Sequence, residues 1–128
     1  MRLLLDTHTF LWWCADDSRL SQDAVQAVSD ETNDVLVSAV SGWEVAIKTR
    51  LGKLPLEGAP EAFMARMLER HAFGVLPITM RHAVRDYVLP THHSDPFDRL
   101  LVAQAQLEGL TLVTDDAFIR RYDVQTLW

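Results

Sequence analysis

Short, continuous apolar runs alternate along the chain with stretches in which apolar residues recur every three or four positions. Arg2 to Asp6 holds three consecutive leucines ended by an acid, and Asp34–Ser38, Gly74–Ile78 and Leu110–Thr114 are further apolar runs of strand length. Val124–Trp128 alternates and predicts a fifth strand, at an edge. Between these runs the period changes to that of a helix. Ser21 opens a stretch to about Ser29 with Ala24, Val25 and Val28 on one face. Val40 to Leu51 sets Val40, Trp43, Ile47 and Leu51 at helical spacing and stops at Gly52, a common residue just past a helix end. Pro60 to about His71 carries Phe63, Met64, Met67 and Leu68, and Thr79 caps a stretch to Tyr87. The clearest start is Asp95-Pro96-Phe97-Asp98, with Asp as cap, Pro in the first turn and an acid two residues later. That helix continues through Leu100, Leu101, Gln104 and Leu107 to Gly109.

Strands alternating with helices imply βαβ units with right-handed crossovers, hence an α/β fold built on a mainly parallel sheet of four to five strands. No internal repeat or low-complexity tract interrupts the pattern, and Lys53–Pro60, with two Pro and a Gly, predicts a loop. The 128 residues fit a single domain, 1–128, able to bury a real core. With 48% hydrophobic and 23% charged residues, disorder is excluded. The lone Cys14 cannot form an internal disulfide. The first apolar run is too short for a signal peptide and no run approaches a membrane span, so a cytoplasmic protein is expected. A net charge of −6 argues against a basic-stripe DNA reader. It does not exclude a nucleic-acid partner if cations sit among the acids and invert the local field.

The acids are where the chemistry lies. In an open parallel sheet the carboxyl ends of strands and the starts of the following helices meet at one crevice. Asp6 ends a buried strand, where an uncompensated carboxylate is costly to desolvate; capping a helix through His8 to Trp13 is its structural alternative. Glu44 has Lys48 at i+4, the spacing of a surface pair, yet its helix carries enough apolar residues to turn the acid inward. Asp98 suits a helix start, but Asp95 can supply that cap alone. Asp115 and Asp116 compete, one to cap the short helix containing Phe118 and the other to face the crevice, and local chemistry does not choose. Carboxylates so gathered repel one another unless a hard cation holds them, and Mg²⁺ or Mn²⁺ takes oxygen ligands. The neighbouring His92 and His93 point different ways with no other His or Cys at ligand spacing, so a solvated loop is expected. Cys14, Trp12, Trp13 and Trp43 read as buried.

Four segments together resemble PIN-domain proteins, and specifically the VapC toxin ribonucleases of bacterial toxin–antitoxin pairs. They are Leu3-Leu4-Leu5-Asp6-Thr7-His8; Ser41-Gly42-Trp43-Glu44-Val45-Ala46-Ile47-Lys48 with Leu51-Gly52-Lys53-Leu54; His93 through Asp95-Pro96-Phe97-Asp98-Arg99 to Ala105; and Leu112-Val113-Thr114-Asp115-Asp116, with Trp128 closing the chain. The resemblance implies a three-layer α/β/α sandwich in which Asp6, Glu44, Asp98 and Asp116 are the catalytic, metal-holding acids and Thr114 is a supporting hydroxyl. It implies a metal-dependent endoribonuclease using one or two Mg²⁺ or Mn²⁺ ions, a homodimer, an RNA substrate and a small antitoxin partner. Lys48 and Arg99, beside two of the acids, are candidates either for binding RNA phosphate or for pairing with a neighbouring carboxylate, and Arg120 and Arg121 either touch the RNA backbone or are simply solvated. The alternative is a catalytically silent binding module acting through its protein partner. A haloacid-dehalogenase-type phosphatase would need Asp-x-Asp after the first strand, where His8 stands instead. A receiver domain would need an acidic pair there, where Asp6 is single.

Overall fold

The three leucines of the first strand divide between two cores. Leu3 and Leu5 pack with Phe10, Val35, Val37 and Phe73 on one side, and Leu4 with Leu101, Leu112 and Ile119 on the other. A strand covered on both faces has no polar alternation, which is why the run is continuous. The computed structural model describes residues 1–128. Strands β1 (Arg2–Leu5), β2 (Asp34–Ser38), β3 (Gly74–Leu76), β4 (Thr111–Val113) and β5 (Thr126–Leu127) form one sheet in the order β3-β2-β1-β4-β5. All four pairings are parallel. Helices α1 (Thr7–Cys14), α2 (Gln22–Ser29) and α4 (Pro60–His71) cover one face, and α5 (Met80–Arg85) and α6 (Pro96–Glu108) the other. Helix α3 (Ala39–Arg50) packs against α1, α4 and α6. The result is the three-layer α/β/α sandwich that the family resemblance implies, with the edge strand in place and the sheet wholly parallel.

Helix starts fall where the side chains predict. Ser21 accepts the Ala24 N–H at 3.0 Å, and Asp95 accepts those of Phe97 and Asp98 at 2.8 and 3.4 Å. Such a cap contributes about 1 kcal/mol. Gly109, at φ 65°, turns the chain off α6 into β4 in a left-handed conformation that side chains with a Cβ disfavour.

Three expectations need correction. β3 stops at Leu76, ahead of Pro77, which has no N–H to give a ladder. The helix after Thr79 ends at Arg85 and continues as a 3₁₀ turn, Asp86–Val88. On α3 the buried stripe is Val40, Ser41, Glu44 and Val45, which turns the apolar Trp43 and Leu51 outward. Trp43 is therefore 55% exposed rather than core, and Trp12 and Trp13 are only partly buried. No helix is long and apolar enough to cross a membrane.

Candidate metal centre

The sheet order places a switch point between β1 and β4: the chain runs from β1 outward to β3, then crosses to β4 and β5 on the other side. The crevice outside the carboxyl ends of those two strands is the usual ligand site of such sheets. Asp6 follows β1, and Thr114 and Asp116 follow β4, at that crevice. Asp98 enters from the first turn of α6 and Glu44 from the second turn of α3.

Asp6 divides its two oxygens. Its Oδ1 caps α1 by accepting the Thr9 N–H at 2.7 Å, and its Oδ2 accepts the buried Thr114 hydroxyl. Thr114 Oγ1 also accepts the Asp116 N–H at 3.1 Å, so one hydroxyl links the acids after β1 and β4. Asp116 likewise divides its oxygens. Oδ1 accepts the N–H groups of Phe118 and Ile119 at 2.8 and 3.1 Å, while Oδ2 is turned toward His93. The acid that closes the turn leading into the 3₁₀ helix Ile119–Arg121 and the acid that faces His93 are thus one residue, and Asp115 is exposed.

Glu44 is 2% exposed, with Oε2 on Lys48 Nζ at 2.5 Å and Oε1 buried without any hydrogen-bond partner. A buried, unpartnered carboxylate oxygen is expensive to leave so. Lys48 is 34% exposed at the mouth of a cleft of about 260 Å³ lined by Thr7, His8, Glu44 and Lys53. Burial works against its charge, but Glu44, Asp95 and Asp98 outweigh it and raise its pKa.

The electrostatics record the crowding of acids. Burial pushes Asp98 up to about 8, reinforced by the charges of Asp95, Asp6, Glu44 and Asp116. Asp6 is raised as well, by burial, against the lowering effect of its Thr114 and Thr9 hydrogen bonds. A cation among them would remove both penalties. The donor set, carboxylates with an orphaned buried oxygen, fits a hard divalent ion such as Mg²⁺ or Mn²⁺.

Two expectations fail here. Arg99 does not face the acids. Its guanidinium is spent on Asp86 Oδ1 and on the carbonyls of Asp86, Leu89, Pro90 and His93, with the Tyr122 hydroxyl. No donor is left for a phosphate. His93 is not in a solvated loop: its Nε2 lies 2.9 Å from Asp98 Oδ2 and 3.6 Å from Asp116 Oδ2, and one ligand atom from each residue falls within 4.8 Å of the others. The available signal was its place two residues before the Asp95 cap, which fixes the turn it stands on. His92 packs its ring edge-on against Tyr122, Arg120 and Arg121 are exposed, and Cys14 is pushed up to about 11 by burial, as suits an inert thiol.

Residues 3–125 match the PIN domain family. The chain is 32% identical over 122 residues to "Ribonuclease VapC22" of Mycobacterium tuberculosis, covering 94% of this chain and 91% of that protein. It is 39% identical over 69 residues to "Ribonuclease VapC16" of the same organism, 51% of this chain and 48% of that one. Among solved structures, that of VapBC2 from Rickettsia felis bound to a promoter DNA fragment superposes with a TM-score of 0.73 at 15% identity, covering 99% of this chain and 98% of that one. FitAcB from Neisseria gonorrhoeae gives 0.63 at 22% identity, covering 98% and 96%. At such identities the structures speak for the fold, and the sequence matches carry the family: this chain belongs to the PIN-domain family, among its VapC-type members.

Proposed function

We propose that this protein is a metal-dependent endoribonuclease, the toxin of a toxin–antitoxin pair, working in the cytoplasm on RNA phosphodiester bonds. The observation that carries it is the unpartnered Oε1 of Glu44, buried beside Asp98, which burial and then the charges of its acidic neighbours lift to about 8. Asp6, Glu44, Asp98 and Asp116 would hold one or two Mg²⁺ or Mn²⁺ ions. When bound, such ions supply a nucleophilic hydroxide and neutralise charge building on the phosphoryl oxygens.

The chain's own groups do the rest. Thr114 fixes the Asp6 carboxylate and the Asp116 backbone, so the acids are preorganised before any ligand arrives. The Lys48 ammonium, paired with Glu44 and still 34% exposed at the rim, would meet an RNA phosphate. A net charge of −6 gives the rest of the surface little pull on RNA, so binding depends on the loaded centre and on Lys48. An apolar groove of about 580 Å³, lined by Leu11, Trp12, Leu54, Leu56 and Phe63 and sharing His8 with the acid-side cleft, suits a segment of a small antitoxin. A homodimer fits the exposed apolar side chains Met80, Val84, Tyr87 and Val88.

Two supports come from relatives: the name ribonuclease belongs to both curated proteins, and the R. felis structure is of a VapBC2 assembly. The test is RNA cleavage by the purified chain with Mg²⁺ or Mn²⁺. Asp6→Asn and Asp98→Asn should each abolish it while leaving the fold intact, as should excess EDTA. Full activity in any of these sinks the proposal. Partner binding without any cleavage by the wild-type chain would favour a silent binding module instead.

A further inference from the structure

His93 joins the four acids and Thr114 at the crevice, and its surroundings define what it does there. Its Nδ1 accepts the Asp95 N–H at 3.3 Å. A ring nitrogen that accepts carries no proton, so the ring proton sits on Nε2, 2.9 Å from Asp98 Oδ2. The same Nε2 stands 3.6 Å from the one oxygen of Asp116 that the Phe118 and Ile119 N–H groups leave free.

The ring is delivered by a tied-down loop. The His93 N–H donates to the Tyr122 hydroxyl at 3.0 Å, and that hydroxyl donates to the Pro90 carbonyl at 2.8 Å. Arg99, the residue after Asp98, binds the carbonyls of Pro90 and His93 at 2.7 and 3.3 Å and the Tyr122 oxygen at 3.1 Å. The Phe118 ring lies 5.1 Å away, tilted against the imidazole. Loop, helix start and post-β4 segment are thus joined at one point.

We propose that His93 is a positioning residue for the metal centre: from the loop that Arg99 ties down, its Nε2–H holds the Asp98 carboxylate beside Asp116 so that both reach a common cation. The proposal rests on the nuclease reading above. Acting as a ligand instead would require Nε2 to give up its proton and Nδ1 to take one, against the Asp95 N–H that already points at Nδ1. Acting as a donor requires no change. Hydrogen bonds to a ligating carboxylate orient it, and removing such a partner lowers metal affinity by roughly 10–100-fold. Arg99 therefore serves the site through His93, without touching RNA.

The experiment is calorimetric titration of the full chain with Mn²⁺ alone, joined to electron spin-echo spectroscopy of the bound ion. His93→Ala should weaken binding by about 10–100-fold, and His93→Gln, which keeps an N–H donor, should restore most of it. His93→Met supplies a donor-free side chain of similar bulk should the alanine variant fold poorly. Arg99→Ala should weaken binding less, and the double variant should be no weaker than His93→Ala, because one residue acts through the other. The bound Mn²⁺ should show no directly coordinated nitrogen. Unchanged affinity in the donor-free variants, glutamine no better than alanine, or a nitrogen ligand on Mn²⁺ would each overturn the proposal. Additive losses would overturn the Arg99 link. A wild-type chain that binds no Mn²⁺ brings down the nuclease reading together with this inference, whereas wild-type binding with an indifferent His93 brings down the inference alone.

Discussion

The two sides of the acid cluster are built differently. Asp6 and Glu44 are 3% and 2% exposed and ride on the end of a central strand and a buried helix face. Asp98 and Asp116 have side chains 16% and 29% exposed and come from a helix start and a loop. The buried pair stands on backbone that the sheet and core already fix, with Thr114 and Lys48 holding the carboxylates themselves. The open pair is placed by side-chain hydrogen bonds: Asp98 by His93, and Asp116 by its own cap and the Thr114 hydroxyl. Precision on one side comes from packing, where desolvation makes a missing counter-ion costly. On the other side it comes from a polar network, where solvent and a substrate phosphate can enter.

The largest effect should come from removing an acid on either side. Losing an outer partner of a metal ligand already costs roughly 10–100-fold, so Glu44→Gln or Asp98→Asn should reduce RNA cleavage by at least about 100-fold. The sides are expected to be equal here, because the proposed centre draws ligands from both. A loss under about tenfold for Asp116→Asn or Asp98→Asn, set against full loss for Glu44→Gln, would show that the buried pair holds the metal without help.

Next comes pH. Asp98 titrates at about 8 in the folded chain against an ordinary value of 3.8, through burial first and then its acidic neighbours. Because the folded value is the higher one, the stability it contributes is complete below about pH 4 and is lost as pH rises through 8. Each unit is worth roughly 1.4 kcal/mol, so the metal-free protein should lose several kcal/mol across that range. Asp6, also raised, adds in the same direction. Urea denaturation in EDTA from pH 5 to 8.5 checks this. Asp98→Asn should flatten the profile and be the more stable protein at pH 8. A wild-type-minus-variant difference that does not change with pH would mean the open acid is better solvated than its surroundings indicate.

Thr114 is the direct bond between the two sides. Thr114→Val keeps the shape and removes the hydroxyl, leaving Asp6 Oδ2 and the Asp116 N–H unpaired. Unpaired buried groups cost about 1–3 kcal/mol each. Unfolding free energy should fall by that order, and Thr114→Ser should recover it. If valine is neutral in stability yet weakens Mn²⁺ binding, the hydroxyl orients acids without holding the halves together.

These differences also set what could be read from the residues alone. Local chemistry left Asp115 and Asp116 open, and only the family resemblance favoured Asp116. That Asp6, Glu44 and Asp98 converge on one crevice was legible because each sits at a local landmark: a strand end, a helix turn and a capped start. The alternating runs gave the sheet and its helices for the same reason, and Pro77 shortened one strand by a local rule. The contacts of His93 with Asp98 and of Arg99 with Asp86 and Tyr122 were not legible, because they depend on how the loop folds back. Neither the fold of residues 86–93 back onto α6 nor the reach of Tyr122 into that loop leaves a periodic trace. The orientation of α3 failed similarly. Apolar spacing favoured burying Trp43, but packing against α1, α4 and α6 turned it outward while Glu44 went inward, as the apolar residues of its helix had allowed.

That rotation leads to the smallest effect. Trp43, adjacent to Glu44, is 55% exposed, and its ring meets Phe97, adjacent to Asp98, edge-on at 5.2 Å. The pair clamps the helix of a buried acid to the helix of an open one from outside the crevice. Edge-to-face contacts contribute about 0.5–1.5 kcal/mol beyond area burial, and partial exposure should keep this one near the lower end. A double-mutant cycle of Trp43→Ala and Phe97→Ala, read by urea denaturation, should give a coupling of about 0.5 kcal/mol, with Mn²⁺ affinity nearly unchanged. Zero coupling would leave Thr114 and the packed backbone as the connection between the sides. A coupling above about 1.5 kcal/mol, or a fall in Mn²⁺ affinity, would mean that the aromatic clamp sets the spacing of Glu44 and Asp98, and that the open side owes part of its geometry to packing after all.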